Sequence, residues 1–206
     1  MDLTPGQKDA LTELINIGYG RAAGAMSELT GFRISLEVPQ VTMHDIRSIA
    51  PLLEKSIGSD VVGVNQVFSG PISGNALLLL DNKAAIVLSR LLSDGRTTLG
   101  ALDASAKETI IEVGNILLNA CLGVFGNLLN VQITFSVPRL HIETIPRVLH
   151  SVSTQTEEAI KYALMVHTEF NVKTEDVVGY LVIILGIASL DRLLLELENW
   201  ENRQVR

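Results

Sequence analysis

One group of polar residues occurs twice in this chain, the second time shifted by 99 residues. The repeated positions are Asp9, Glu13, Asn16 and Pro39, which recur as Glu108, Glu112, Asn115 and Pro138. Apolar residues and glycines recur at the same offset, including Ile17 with Ile116 and Gly24 with Gly123. A repeat at a fixed period indicates a duplicated structural unit. The chain is therefore predicted to contain two copies of one unit, each with the same polar site.

The first copy opens with signals for a long helix. Thr4 is predicted to be the N-cap, Pro5 the first helical residue and Gln7 the partner that closes a capping box. Gly31 marks the end, so the helix is expected from about residue 5 to 29. Its predicted buried stripe consists of Leu11, Leu14, Ile15, Ala22, Ala25 and Leu29.

The second copy repeats this design. Ser105 and Glu108 form a potential capping box for a helix over about residues 105 to 129. Its predicted buried stripe consists of Ile110, Val113, Leu117, Cys121, Val124 and Leu128. The only cysteine of the chain lies in this stripe, which is more typical of a core residue than of a nucleophile.

Strand-like segments follow each long helix. Short runs rich in β-branched residues are predicted at 32–38 and 131–137, ending at Pro39 and Pro138. Longer strands are predicted at 60–68, 72–80, 160–170 and 177–185, and each pair is followed by a helix, at 83–92 and 190–200. The order helix, strands, helix therefore occurs twice.

The two halves, about residues 1–95 and 103–200, are joined by a short segment at 93–102 that is rich in Ser, Asp, Gly and Thr. Such a linker is too short to separate independent domains widely, so one domain over 1–206 is expected. The predicted fold class is α/β (α+β), with internally duplicated helix-strands-helix-strands units that form one largely antiparallel sheet. The helices are expected to pack on it in a layered α-β-α arrangement with pseudo-twofold symmetry.

Composition argues against several classes of function. The net charge is −7 and there is no basic cluster, so nucleic-acid binding is not expected. The longest apolar run, about 14 residues at 177–190, is short for a membrane span, so no membrane insertion is expected. The four histidines are scattered, so no bound metal is expected. The N-terminus lacks a signal-peptide pattern, and we expect a cytoplasmic location.

The repeated residues share one helix face in each copy. Glu13 and Asn16 are three positions apart, and Asp9 and Gly20 extend the same face. In the second copy this face carries Glu108, Glu112, Asn115 and Asn119. A solvated helix face would explain the glutamates but not the asparagines, which are poor helix formers. Their occurrence twice at identical spacing favours a functional site.

The patterns Asp9-x3-Glu13-x2-Asn16-x22-Pro39 and Glu108-x3-Glu112-x2-Asn115-x22-Pro138 resemble the twin signatures of the CheC family of chemotaxis phosphatases. The resemblance spans nearly the whole chain. Within the CheC/CheX/FliY superfamily, CheX-like proteins carry one signature and FliY-like proteins add a flagellar-switch domain, so two signatures are most similar to CheC itself. One residue departs from the family pattern, because the second copy begins with Glu108 where the family has Asp or Ser.

The resemblance implies an enzyme, a hydrolase that dephosphorylates the aspartyl phosphate of the response regulator CheY in chemotaxis signalling. It assigns Asn16 and Asn115 to positioning the attacking water, and Glu13 and Glu112 to docking the receiver domain through a lysine beside its phosphorylation site. Mg²⁺ would come from CheY, with no cofactor bound by this chain. The remaining predicted partner-binding residues are Asp9, Gly20, Glu108 and Asn119.

An alternative is also implied by the resemblance. CheC-like proteins associate with the receptor deamidase CheD, and related modules occur in the flagellar switch. The chain would then be a CheD-binding or switch-associated adaptor with little catalytic activity.

Overall fold

A computed structural model describes residues 3–92, 102–153, 160–172 and 175–204. The elements of the first half are α1 (Pro5–Thr30), β1 (Ile34–Leu36), β2 (Gln40–Asp45), α2 (Ile46–Ile57), β3 (Asp60–Ser69), β4 (Gly74–Asp81) and α3 (Asn82–Leu92). Those of the second half are α4 (Ala104–Leu129), β5 (Thr134–Phe135), β6 (Arg139–Thr144), α5 (Ile145–Ser153), β7 (Ile160–Val172), β8 (Glu175–Gly186) and α6 (Ile187–Gln204). The same order of element types therefore occurs twice. Most of the predicted linker, residues 93–101, lies outside the described residues.

All strands join one antiparallel sheet with the order β1-β7-β8-β4-β3-β5, in which β2 also pairs with β7 and β6 with β3. The two long hairpins meet at the centre, where β4 pairs with β8 and Leu78 lies opposite Leu181. The short strands cross between the halves, since β1 and β2 pair with β7 while β5 and β6 pair with β3. Each half thus extends the hairpin of the other half, and the arrangement has the pseudo-twofold symmetry that the repeat predicted.

Helices cover both faces of the sheet. Leu78 and Leu80 of β4 belong to the core cluster formed with α1, α3, α4 and α6. Leu77 and Leu79 point to the opposite face, where they pack with α2 and α5. Successive side chains of a strand alternate between faces, so one strand contributes to both cores. The predicted layered α-β-α architecture is confirmed.

The start of α1 agrees with the sequence prediction. The Gln7 amide donates to the Thr4 hydroxyl at 3.2 Å, and the Thr4 amide donates to the Gln7 side chain at 3.0 Å. Pro5 is the first helical residue, and Gly31 closes the helix with a φ of 71°. This left-handed conformation favours glycine because a Cβ would crowd the backbone there.

The start of α4 differs from the prediction. Asp103 is the N-cap, and its carboxylate accepts from the Ala106 amide at 2.8 Å. Ser105 therefore lies inside the first turn, and the predicted capping box of Ser105 with Glu108 is wrong. The reason is that an ionised carboxylate two residues earlier accepts the free amides of the helix start more strongly than a hydroxyl does.

The predicted buried stripes are correct except at their ends. Ala25 is exposed and Leu29 is 65% exposed, while Leu128 is only half-buried. These residues lie towards the ends of α1 and α4, whereas the two helices contact each other most closely near their middles, at Gly18 and Cys121. Periodicity identifies which face of a helix is apolar. It does not show over what length of the helix a neighbouring helix covers that face.

Several short elements were not predicted. β1 and β5 are only three and two residues long, shorter than the segments predicted at 32–38 and 131–137. The chain continues past Pro39 and Pro138 into β2 and β6, and then into α2 and α5. Each proline thus separates two short strands that share one partner, instead of ending the strand region.

One described helix, α4, is long and apolar enough over Ala104–Leu128 to cross a membrane by length and composition. More than half of that apolar window is buried inside the protein, where α4 packs against α1 and β3. A core helix of this kind passes the same test.

Candidate functional site

The two helices that carry the signatures are neighbours and run antiparallel. Met26 and Leu29 from the end of α1 line the same groove as Glu108 and Glu112 from the start of α4. The helices touch near their middles, where a Cβ added to Gly18 would lie 2.8 Å from the Cys121 Cα. Since each signature lies in the first half of its helix, the two sites are at opposite ends of the helix pair.

The first site consists of Asp9, Glu13 and Asn16. The two carboxylates are exposed and Asn16 is half-buried. Gly20, one turn further, would have no neighbouring atom within 4 Å of an added Cβ. The structure therefore brings all four predicted residues of this copy to one accessible helix face.

The second site consists of Glu108, Glu112 and Asn115. Its carboxylates are also exposed and its asparagine is half-buried. Asn119, which was predicted to contact a partner, is half-buried and donates its amide to the Asn115 Oδ1 at 2.8 Å. Gln66 of β3 also donates to this oxygen, at 3.4 Å, and to the Ser136 carbonyl at 3.0 Å.

The two asparagines thus differ in their surroundings. Among the described residues, no hydrogen bond involves the Asn16 side chain, whereas the Asn115 oxygen accepts two. Gln66 is 2% exposed, so its contact with Asn115 is made in the protein interior. Gln66 was missed by the sequence analysis. A glutamine and an asparagine inside the otherwise apolar run of β3 were the available signal.

Glycines extend the exposed faces of both sites. Gly24 on α1 and Gly123 on α4 have no neighbouring atom within 4 Å of an added Cβ, so another molecule could approach the backbone closely. This open, glycine-containing face is shorter on α4, because an added Cβ on Gly126 would lie 3.2 Å from the Val131 carbonyl oxygen.

A groove borders each site. The groove at the second site has a volume of about 260 Å³, and its lining includes Glu112 and Ile116. The groove at the first site is larger, about 550 Å³, and its described lining includes Ile17 and Arg21 but neither signature carboxylate. Among the described residues, signature carboxylates therefore line the groove at the second site but not the groove at the first.

The core behind the sites contains two titratable side chains that are kept neutral. Burial raises the pKa of the Cys121 thiol well above its ordinary value. The pKa of Tyr19 is raised chiefly by burial, and its hydroxyl forms a 2.5 Å hydrogen bond with Thr168. A fully buried, protonated thiol is not a nucleophile, so Cys121 is a packing residue as predicted.

Within the ranges that the structure describes, no three His, Cys, Asp or Glu side chains are grouped so that they could hold a metal ion. What the signature residues offer a ligand is hydrogen bonding and negative charge on a convex helix face.

Comparison with known proteins gives a consistent result. The model of the CheC-like family matches residues 7–43, a segment that contains the complete first signature. The chain is 26% identical over 168 residues to the CheY-P phosphatase CheC of Bacillus subtilis, covering 79% of this chain and 78% of that protein. The crystal structure of Thermotoga maritima FliY has the same fold, with a TM-score of 0.77, 22% identity and coverage of 97% of this chain and 99% of that one. The first signature segment thus matches the CheC-like family model, and most of the chain is similar to a protein named CheY-P phosphatase CheC.

Other proteins that are similar to this chain differ from it in length or in name. The flagellar motor switch phosphatase FliY of Bacillus subtilis is 23% identical over 86% of this chain, but the match covers only 45% of FliY. The middle domain of FliM from H. pylori shares the fold, with a TM-score of 0.63 at 10% identity and coverage of 94% and 99%. The fold is thus common to proteins of different names, and the signature residues must carry any argument about activity.

Proposed function

We propose that this chain is a phosphatase that accelerates hydrolysis of the aspartyl phosphate on a CheY-type response regulator. The observation that carries the proposal is an exposed glutamate beside a half-buried asparagine on each of two helices, Glu13 with Asn16 and Glu112 with Asn115. The relatives named as CheY-P phosphatase CheC and flagellar motor switch phosphatase FliY support this reaction class.

In this proposal the asparagines position water. A carboxamide can contact water through its oxygen or through its amide N–H groups, so it can hold the nucleophile in line with the scissile bond without being consumed. Glutamine has a comparable role in GTP hydrolysis. Asn16 and Asn115 are half-buried, so one side of each side chain stays accessible to water.

The glutamates have a docking role in the proposal. Glu13 and Glu112 are exposed one helical turn before the asparagines, where a lysine beside the receiver's phosphorylation site could pair with them. Such a pair sets the depth and orientation of the helix, whereas the Mg²⁺ that neutralises the phosphoryl charge is assigned to the receiver domain. We place the reaction in the cytoplasm as part of the same proposal.

The test is phosphate release from phosphorylated CheY in the presence of Mg²⁺. The double variant Asn16→Ala/Asn115→Ala is expected to bind CheY but to lose roughly 10²-fold or more of the stimulated hydrolysis. Asn199→Ala is the matched control, because it makes the same chemical change at an exposed position of α6. Undiminished turnover by the double variant would contradict the proposal.

The adaptor alternative is favoured by one observation, the FliM structures with this fold, one of which was solved in a FliG-FliM complex. Under this alternative the chain would bind CheY or CheD without accelerating phosphate release. Measuring binding and phosphate release on the same preparation separates the two functions.

A further inference from the structure

We infer that Asn119 and Gln66 are positioning residues that hold the Asn115 side chain in a fixed orientation, so that the second site is preorganised and the first is not. This inference rests on the proposed function for its kinetic consequence. Its structural part concerns the order of one side chain and can be measured separately.

The contacts restrain Asn115 from two directions. Asn119 lies one turn along α4 and donates to the Asn115 Oδ1 at 2.8 Å. Gln66 approaches from the sheet and donates to the same oxygen at 3.4 Å. The Gln66 amide is anchored in turn by the Ser136 carbonyl, which lies in the segment leading to Pro138.

Burial makes this network rigid. Gln66 is almost fully buried, and neither its Oε1 nor the Asn119 Oδ1 has a hydrogen-bond partner in the described part of the protein. Burying such atoms is unfavourable, so the geometry that places both amides on Asn115 needs a compensating role. Water has no access from the Gln66 side, because Gln66 is buried, whereas Asn115 and Asn119 are half-buried.

The equivalent positions beside the first site can be identified from the strand register. Arg139 of β6 lies opposite Asn65 of β3. Its repeat equivalent, Gln40 of β2, lies opposite His167 of β7. Asn65 and His167 therefore occupy equivalent positions in the two halves. The next residues along the strands, Gln66 and Thr168, are equivalent as well.

The first site lacks both donors. The residue equivalent to Gln66 is Thr168, whose hydroxyl is bonded to Tyr19 instead of Asn16. The residue equivalent to Asn119 is Gly20, which has no side chain. The repeat thus preserves the Glu/Asn pair but not the groups that support it.

The network leaves a defined part of Asn115 for the reaction. A carbonyl oxygen has two acceptor sites, and both are directed at protein donors here, so the Nδ2 group remains to contact water. Hydrogen bonds accepted by the oxygen also polarise the amide and strengthen its N–H donors. Removing one support is expected to increase the motion of Asn115 and to lower kcat without changing how Glu112 docks the partner.

The kinetic test isolates the second site. In an Asn16→Ala background, where only the second site operates, Asn119→Ala and the isosteric Asn119→Asp are both expected to lower kcat about tenfold with KM unchanged. Gln66→Met should act in the same direction. In the same Asn16→Ala background, Asn199→Ala makes the same chemical change at an exposed position of α6 and should leave kcat unchanged.

The structural test needs no phosphatase activity. Side-chain ¹⁵N relaxation of the free protein should show an ordered Asn115 amide and a mobile Asn16 amide, and Asn119→Ala should make Asn115 mobile. Equal mobility of the two asparagines in the unsubstituted chain would overturn the inference.

Three kinetic results would also overturn it: an unchanged kcat, a raised kcat, or a raised KM at constant kcat. The last result would return Asn119 to the partner-binding role predicted from sequence. Failure of the proposed function would look different, because phosphate release would then be insensitive to Asn16→Ala/Asn115→Ala while the relaxation result stayed as expected.

Discussion

Cys121 and Tyr19 lie in the core near the contact of α1 with α4, and burial raises the pKa of both. In the unfolded chain Cys121 would lose its proton near its ordinary pKa of 9.0, whereas in the folded protein it stays protonated. The unfolded state therefore binds fewer protons than the folded state at alkaline pH. The stability from these groups is fully present below pH 9 and is lost as the pH rises above it.

We expect the free energy of unfolding to fall with pH above about 9. Cys121→Ala removes one titrating group, so it should flatten the decline by up to about 1.4 kcal/mol per pH unit. Urea denaturation at several pH values between 7 and 10.5 measures this slope. An identical slope in the variant and the unsubstituted chain would show that Cys121 is not protonated and shielded as described.

The exposure of single residues was predictable at the positions that recur in the repeat. Glu13 and Glu112 are exposed as the helical spacing indicated, because a three-residue step keeps them beside the asparagines. The support of Asn115 was not predictable, since Gln66 lies 49 residues away in sequence and reaches the site only through strand register. The roles of the predicted site residues stay predictions.

The contact between α1 and α4 depends on one glycine. A Cβ at Gly18 would lie 2.8 Å from the Cys121 backbone, so Gly18→Ala must push the helices apart. We expect it to destabilise the protein by about 1–3 kcal/mol, the usual effect of overpacking. Gly24→Ala is the matched control in the same helix, because it meets no neighbour and should stabilise by roughly 0.5–1 kcal/mol.

Thermal and denaturant unfolding of the two variants checks this contrast. A neutral Gly18→Ala would mean that α1 and α4 are not closely packed at this point. If the open face of α1 at Gly20 and Gly24 also contacts the proposed CheY-type partner, Gly24→Ala would weaken binding of that partner while it stabilises the free chain.

The start of α4 gives a second prediction at the level of the helix. Because Asp103 accepts from the Ala106 amide, Asp103→Ala should reduce the free energy of unfolding by about 1 kcal/mol. Ser105→Ala should change it by less than about 0.5 kcal/mol, since Ser105 is exposed within the first turn. Denaturant titration of both variants decides between them. A larger loss of stability in Ser105→Ala than in Asp103→Ala would instead support the capping box predicted from sequence.

Long elements were predicted well and short ones were not. The two signature helices and the two hairpins carry many periodic apolar residues, so their hydrophobic periodicity is clear even where single residues depart from it. α2 and α5 are short, and α2 contains Pro51 in its interior, where proline normally interrupts a helix. Both helices are held by packing on the sheet, a tertiary effect that local propensity does not reveal.

At the scale of the whole molecule, the exchanged short strands bind the halves together. Among the described strands, β1 and β2 pair with β7 of the other half and with no strand of their own half. The merging of the halves into one sheet followed from the short linker and the repeat. The exchange did not, because pairing with either hairpin satisfies the same local sequence preferences.

We predict that residues 1–92 and residues 102–206 do not fold cooperatively when expressed separately. Each fragment would expose the strand edge that the other half covers and half of the central β4–β8 pairing. Circular dichroism melts should show no sharp transition for either fragment, while an equimolar mixture regains part of it. A sharp transition in one fragment alone would show that the halves are separable domains.

The exchange of strands also orders events during synthesis. β1 ends at Leu36, but its partner β7 is complete only at Val172, so the ribosome must add more than a hundred residues before the two can pair. At typical elongation rates this takes on the order of ten seconds. During that interval α1 and its Glu/Asn pair have emerged without the sheet that supports them. An incomplete nascent chain therefore cannot present a finished first site, and both sites mature together once the last strands have emerged.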